Sequence, residues 1–282
     1  MMELIDCRSI ADNILTDLEG KFAALEERTG IRPVLAAIAN ADIPESMSYL
    51  KSRRKPASRF GIDLKEVTYR SDSAPSEIME IIRDSSESKE IHGIMVSYPV
   101  PSSLGNVNIG DIIPPGKDVD CITPMNQGLI MENREFVAPA TALSVIEIIL
   151  RERIAEGSRV AILNRSTIIG RPLAMMLLNR NFTPVVCHTR TIGIREITKS
   201  ADVVIAAAGK PRLIDSSWIS DGTTVIDAGI NVENGKICGD VDPVSMNERR
   251  GRLTSVPGGV GPITSGMLFR NLLKCVEASV RS

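Results

Sequence analysis

The chain has 282 residues, 43% of them hydrophobic and 24% charged, which is enough to bury a core in one or two domains. A net charge of -2 and an aromatic content of 3% argue against a broad nucleic-acid surface and against a base-stacking platform. The longest apolar runs, such as Val203 to Ala208, are too short to span a bilayer, and the start Met1-Met2-Glu3-Leu4-Ile5-Asp6 lacks a signal-peptide pattern. Cys7, Cys121, Cys187, Cys238 and Cys275 are scattered, and no pair of them has metal-ligand spacing. With only His92 and His188 to add, no metal site is expected, and the free thiols fit a reducing, cytoplasmic compartment.

From the N-terminus, residues 8–29 place Ile10, Ile14, Leu18, Phe22 and Leu25 at helical spacing. Val34 to Ala39 reads as a short buried strand, residues 46–59 as a basic helix, and Leu64 to Tyr69 as a strand. A helix over 75–84 and a strand over Ile91 to Val96 follow. This alternation predicts βαβ units around a mostly parallel sheet. Pro99, Pro101, Pro114, Pro115, Gly116, Pro124 and Gly128 then punctuate a loop-rich stretch. Thr141 to Arg153 resumes a helix and is a candidate bridge between two domains. A second alternating series has strands at Arg159 to Leu163, Pro184 to Cys187, Val203 to Ala207 and Thr224 to Asp227. Residues 262–280 read as a helix that returns to the first domain.

The second series carries a mechanical signal. A buried strand ends at Leu163 or Asn164, a loop holds Arg165 and Ser166, and a helix opens near Gly170, with Pro172 in its first turn. Backbone N–H groups at such a helix start can hold a phosphate. It is not the G-x-G-x-x-G fingerprint, and on the loop pattern alone a plain βα turn serves as well. In NAD-binding versions the next strand ends in a carboxylate for the ribose 2′-hydroxyl. Here Pro184-Val-Val-Cys runs into His188-Thr189-Arg190-Thr191, with no carboxylate to repel a 2′-phosphate. Arg165, Thr189 and Arg190 suit such a phosphate instead, which favours NADP over NAD. Val203 to Ala207 leads into the small turn Ala208-Gly209, where a cofactor can approach the backbone, and Thr224 to Asn231 repeats the strand-then-glycine theme.

Taken in order, these segments resemble the bifunctional methylenetetrahydrofolate dehydrogenase/cyclohydrolase family. The most specific match is Ser255-Val-Pro-Gly-Gly-Val-Gly-Pro-Ile-Thr264. Lys117-Asp-Val-Asp120, Arg165-Ser166 through Gly170-Arg-Pro172, Cys187-His188, Gly239-Asp240-Val241 and Pro139 with Thr141 add to it. The resemblance covers nearly the whole chain. It implies an α/β protein of two domains. Residues 1–140 plus 262–282 would form an N-terminal folate-binding catalytic domain with a mostly parallel sheet. Residues 141–261 would form a Rossmann-like NADP domain, and the protein would be a homodimer. It implies catalytic roles for Tyr49, Arg53 and Asp120, and folate contacts from Tyr49, Ser97, Asp120, Pro257, Gly258 and Gly259. It implies cofactor contacts from Asn164, Arg165, Ser166, Gly170, His188, Thr189, Arg190, Ala208, Gly209, Ile230, Gly261 and Thr264. Asp120 matches the carboxylate that pairs with an aminopyrimidine edge, a two-point interaction suited to an ionised acid. Asp118 reads as structural.

The chain departs from the family pattern at one place. Family members carry Tyr-x-x-x-Lys on a helix. Here the tyrosine is Tyr49, after the matching Ser46, and the i+4 residue on the same face is Arg53. Lys51 and Lys55 fall on the opposite face, and Pro56 is expected to kink or end the helix. The glutamine that partners the family lysine is Ser97, and His92 replaces an aspartate as a strand-edge histidine without a catalytic role. Hydride loss from a methylene carbon flanked by two nitrogens needs mainly orientation. Hydrolysis of the methenyl product needs proton exchange, which a lysine can be tuned to perform near neutral pH and an arginine cannot. The expectation is a dehydrogenase with weak or no cyclohydrolase activity. The competing readings are a fully bifunctional enzyme, a shikimate-type dehydrogenase without the proline-glycine signature, and a folate- or nucleotide-binding protein without catalysis.

Overall fold

The structure, a computed structural model, describes residues 1–105, 107–233 and 235–281. In chain order it comprises β1 (Met2–Leu4), α1 (Cys7–Thr29), β2 (Val34–Asn40), α2 (Pro44–Arg59), β3 (Asp63–Tyr69), α3 (Pro75–Glu87), β4 (Gly93–Val96), α4 (Pro124–Met131) and α5 (Ala140–Arg151). There follow β5 (Arg159–Leu163), α6 (Gly170–Leu178), β6 (Thr183–Val186), α7 (Ile194–Lys199), β7 (Val203–Ala206) and β8 (Thr224–Asp227). The remainder is β9 (Asn231–Glu233), β10 (Lys236–Cys238), α8 (Pro243–Met246), β11 (Gly251–Leu253) and α9 (Val260–Arg281).

The chain divides into two units. One holds Met1–Asn13 with Pro139–Met267, and the other holds Ile14–Ala138 with the chain from Leu268 on. The N-terminal boundary differs from the sequence expectation. β1 pairs in parallel with β11, Met2 opposite Gly251 and Leu4 opposite Leu253, so the first residues complete the second sheet rather than the first. The helix expected to bridge the two domains, α5, lies wholly in one unit; α1 and α9 are the helices whose residues are shared between them.

The unit built around Ile14–Ala138 has a three-stranded parallel sheet, β3-β2-β4. Residues 35–39 of β2 are completely buried, which is why this strand reads as an unbroken apolar run. Ile78 and Ile82 of α3 pack with Ile38, Ile94 and Val96. Phe22 stacks on Phe60 with a centroid separation of 5.5 Å, and Phe269 meets Phe60 edge-to-face at 5.3 Å. The expected return of the C-terminal helix is realised through Asn271, whose Nδ2 donates to the carbonyls of Val119 (2.8 Å) and Ala138 (2.7 Å). Contrary to expectation, α2 does not end at Pro56 but runs on to Arg59. The proline stands in the last turn, where its missing N–H removes the intrahelical bond to the Ser52 carbonyl, yet the helix runs on past it.

The other unit has a six-stranded parallel sheet in the order β1-β11-β8-β7-β5-β6, with the antiparallel hairpin β9-β10 beside it in sequence. The chain leaves β5 to one side for β6 and returns to the other side for β7, so the C-terminal end of β5 is a topological switch point, where crevices form in open parallel sheets.

Asn271 is wholly buried, and its amide is the donor for two buried carbonyls. Asn271→Ala should therefore lower the unfolding free energy by about 2–4 kcal/mol in urea titration, because both carbonyls lose their partner in a dry environment.

Candidate active site

In the unit carrying Tyr49, the candidate site residues Tyr49, Arg53, Ser97 and Asp120 lie on segments that follow the C-terminal ends of the strands of the three-stranded sheet or pack beside them. Asn40 ends β2 and folds the chain into α2: its N–H donates to Ser46 Oγ (3.3 Å) and its Oδ1 accepts from the N–H of Asp42 (3.0 Å). Ser46, Leu50, Arg53 and Ala57 form the buried face of α2, while Lys51 and Lys55 point to solvent. The Arg53 guanidinium lies over the Tyr49 ring, 4.2 Å from its centroid, a cation–π contact that covers one face of the ring.

The loop that delivers Asp120 is held by Asp118. Its Oδ1 accepts from the N–H of Ile122 (3.0 Å), and its Oδ2 accepts from the N–H of Thr123 (2.9 Å) and from Asn126 Nδ2 (2.9 Å). Asp118 is fully buried and structural, as its sequence context suggests. Asp120 is different. Burial pushes its pKa up to about 7, the Asp118 charge adds to the rise, and Arg53 and the backbone N–H of Val96 oppose it. The Tyr49 hydroxyl is pushed up to about 12 by burial and then by Asp120, with Arg53 opposing, so it stays a proton donor at neutral pH. Ser97 follows β4, is buried, and its Oγ finds no hydrogen-bond partner among the described residues. His92 stands at the other end of β4, where Nδ1 accepts from the N–H of Val34 (3.2 Å), the strand-edge role expected of it.

The other unit carries a cavity of about 510 Å³ at the C-terminal ends of β5, β6 and β7. Asn164, Arg165, Ser166, His188, Thr189 and Ala208 all line it, so sequence reasoning brought together residues that the fold brings together. It missed Lys210, Leu213, Trp218, Thr191 and Ile194, which also line the cavity. Lys210 was legible in the motif Ala208-Gly-Lys-Pro211, whereas Trp218 sits after an irregular segment whose path only the fold supplies. Among the described residues the lining has no carboxylate.

The helix start proves to be capped from within. Asn164 Oδ1 accepts the N–H groups of Ser166 (2.7 Å) and Gly170 (3.1 Å), and Ser166 Oγ accepts that of Ile169 (3.1 Å). Asn164 Nδ2 also donates to the carbonyl of Ala207 (2.7 Å), tying β5 to β7. The N–H of Gly170 is therefore not available to an anion, and the glycine is required because a Cβ there would run into the Asn164 carbonyl. Arg190 is exposed and does not line the cavity; its N–H donates to His188 Nδ1 (3.2 Å), which sets the turn. Gly209 has φ +65 and Ile230 is exposed on its loop. Pro257 and Gly258 are exposed at the start of α9, Gly258 with φ +98, and Gly259 is buried against the Ser255 carbonyl. Gly261 opens α9, and Thr264 Oγ1 bonds back to the Val260 carbonyl (3.0 Å) and meets Ser144 Oγ (3.1 Å).

Two family models match this chain. The catalytic domain of tetrahydrofolate dehydrogenase/cyclohydrolase matches residues 5–120, and the NAD(P)-binding domain of the same family matches residues 139–280. The chain belongs to the tetrahydrofolate dehydrogenase/cyclohydrolase family. The bifunctional protein FolD of Picrophilus torridus is 40% identical over 278 residues, 99% of each chain. The crystal structure of the bifunctional 5,10-methylenetetrahydrofolate dehydrogenase/cyclohydrolase of Thermoplasma acidophilum superimposes with a TM-score of 0.92 at 36% identity, over 99% of this chain and 100% of that one. The Trypanosoma brucei enzyme, solved with NADP cofactor and an inhibitor, gives a TM-score of 0.93 at 33% identity over 100% and 99% of the two chains. The family accounts for the two-unit α/β architecture and for the cavity at the β5 switch point.

The raised pKa of Asp120 makes a pH prediction. A carboxyl whose pKa rises from 3.8 to about 7 on folding favours the native state while protonated, and that contribution is lost as pH climbs through the interval. The unfolding free energy of the wild type, relative to Asp120→Asn, should fall as pH is raised from 3.8 to about 7 and stay level above it. Urea denaturation of both proteins across that range is the check.

Proposed function

We propose that this chain is an NADP-dependent 5,10-methylenetetrahydrofolate dehydrogenase with little or no methenyltetrahydrofolate cyclohydrolase activity. The observation that carries the coenzyme half is the cavity at the β5 switch point, with Arg165 and Lys210 on its lining and no carboxylate among the described lining residues. The fit is chemical: small residues Ala207 and Ala208 leave the strand ends open to a close backbone approach, and the cations suit a 2′-phosphate. Arg165, Ser166 and Thr189 would hold that phosphate, with His188 and Ala208 along the adenosine. When bound, the nicotinamide supplies the hydride acceptor.

The chain's own residues do the rest. Asp120, when ionised, accepts from the aminopyrimidine edge of the pterin and fixes its orientation. Tyr49 offers a hydroxyl that remains protonated. Two ring nitrogens of the substrate stabilise the carbocation left when hydride departs, so orientation is the main demand on the protein.

Ring opening of the methenyl product makes a different demand. An attacking water must lose a proton and a leaving nitrogen must gain one. In the family pattern a lysine with a glutamine partner stands where this chain has Arg53 and Ser97. An arginine does not exchange protons at physiological pH, and Arg53 stacks on Tyr49. The Ser97 hydroxyl is too short to take over the reach of a glutamine.

We further propose a homodimer in the cytoplasm. Exposed Ile230, Val232 and Ile237 on and beside the β9-β10 hairpin support the first, and the five free cysteines support the second.

Two measurements test the proposal. Purified protein should reduce NADP with 5,10-methylenetetrahydrofolate, yet hydrolyse 5,10-methenyltetrahydrofolate no faster than the spontaneous rate. Arg53→Lys combined with Ser97→Gln should then raise hydrolysis by about 100-fold or more over the unmodified protein. A robust wild-type hydrolysis rate that Arg53→Ala abolishes would refute the reading. For the coenzyme, Arg165→Ala should raise the KM for NADP about tenfold and leave the KM for NAD unchanged, as loss of one charge-assisted phosphate contact requires.

A further inference from the structure

Behind the cavity wall two carboxylates lie buried together. Asp227 ends β8 and is 3% exposed; Asp240 follows β10 and is 0% exposed. Asp227 Oδ1 accepts the N–H groups of Gly229 (2.9 Å) and Asp240 (3.1 Å), and Oδ2 accepts that of Val241 (3.0 Å). Asp227's own N–H donates to Thr254 Oγ1 (2.8 Å). The backbone of residues 239–241 is thus hung from the end of β8. Asp240 then reaches outward. Its Oδ2 accepts the N–H of Gly209 (2.9 Å), and its Oδ1 accepts the N–H of Lys210 (2.9 Å) and Asn231 Nδ2 (2.8 Å).

These bonds form a relay of fixed backbone. β8 holds Asp227, Asp227 holds residues 239–241, and Asp240 holds the turn at Gly209 and Lys210, on either side of which Ala208 and Lys210 line the cavity. Glycines allow the pair to pack so closely. A Cβ on Gly229 would collide with the Asp240 carboxylate, and one on Gly239 would collide with that of Asp227. Placing two carboxylates together in a dry site is costly. Burial, with Asp240 adding to it, pushes Asp227 up to about 6 against the pull of its three backbone donors.

We infer that Asp240 is a positioning residue for the coenzyme: without lining the cavity, it sets the place of the turn that forms one wall and ties that turn to the loop at Asn231. The inference rests on the coenzyme reading of the cavity. A carboxylate is suited to the task because each oxygen accepts from a backbone N–H. An amide offers one acceptor oxygen and turns its own donors toward the second N–H, which releases one side of the turn.

The test is Asp240→Asn, with Gly229→Ala as a second variant that displaces the carboxylate from outside. Trp218 lines the cavity and is the chain's only tryptophan, so its fluorescence reads NADP binding without turnover. Wild type should bind NADP, and both variants should bind it about tenfold more weakly or worse, as loss of a charge-assisted bond in the wall predicts. Folate KM should stay within about twofold of wild type, because the wall belongs to the coenzyme cavity alone. Amide exchange at Gly209 and Lys210 should quicken in the coenzyme-free variants. Wild-type NADP affinity in Asp240→Asn would overturn the inference even if its Tm fell, since that is the mark of a merely structural group. Failure of both variants to fold would overturn it too. If wild type itself showed no NADP binding, the coenzyme reading would fall first, and this inference with it.

Discussion

Where a parallel strand ends, the backbone leaves its ladder, and the N–H groups freed there need acceptors. In this chain buried side-chain oxygens supply them. Asp118 collects the amides of Ile122 and Thr123, Asn164 those of Ser166 and Gly170, Asp227 those of Gly229, Asp240 and Val241, and Asp240 those of Gly209 and Lys210. Each loop is held by bonds that would cost dearly if left unmade in a dry setting. The rigid ends then present Asp120, Arg165, Ser166 and Lys210 at defined places. The sheets supply the frame, but the acceptors behind the loops decide where chemistry can happen.

This arrangement explains which parts of the molecule are legible in the amino-acid sequence. Strands such as Val160–Leu163 and Val203–Ala206 are buried on both faces and therefore read as apolar runs, and α1 shows its buried stripe at helical spacing. The cavity side chains at 164–166 and 188–189 are legible because strand ends in this topology face the crevice. What stays hidden is long-range pairing. Nothing in Met2-Glu3-Leu4 says that it will lie beside Gly251–Leu253, which moves the N-terminus into the other unit. Likewise nothing in the sequence around Asn164, which lines the cavity, says that its amide also bonds to the Ala207 carbonyl, 43 residues away. Pro56 misleads for a local reason: the bond it removes lies one turn back, at the Ser52 carbonyl, while its own carbonyl still accepts from the N–H of Phe60 (3.0 Å).

On the proposed reading, an arginine at position 53, where the family pattern has a lysine, changes more than one proton. A lysine near neutrality can be charged or neutral, so the charge beside Asp120 would follow the reaction. An arginine is a permanent cation, and Arg53 is held over the Tyr49 ring. The balancing charge must then come from Asp120, whose pKa of about 7 leaves it divided between two forms at neutrality. On the proposed reading, hydride departure makes the substrate carbon cationic next to a permanent cation. Ionised Asp120 opposes that repulsion, and protonated Asp120 does not. The same carboxylate that orients the pterin therefore also sets the electrostatic cost of the hydride step. On that reading, a fixed charge in place of a mobile one would keep a step that needs orientation and a counter-charge, and would give up a step that needs a proton to come and go.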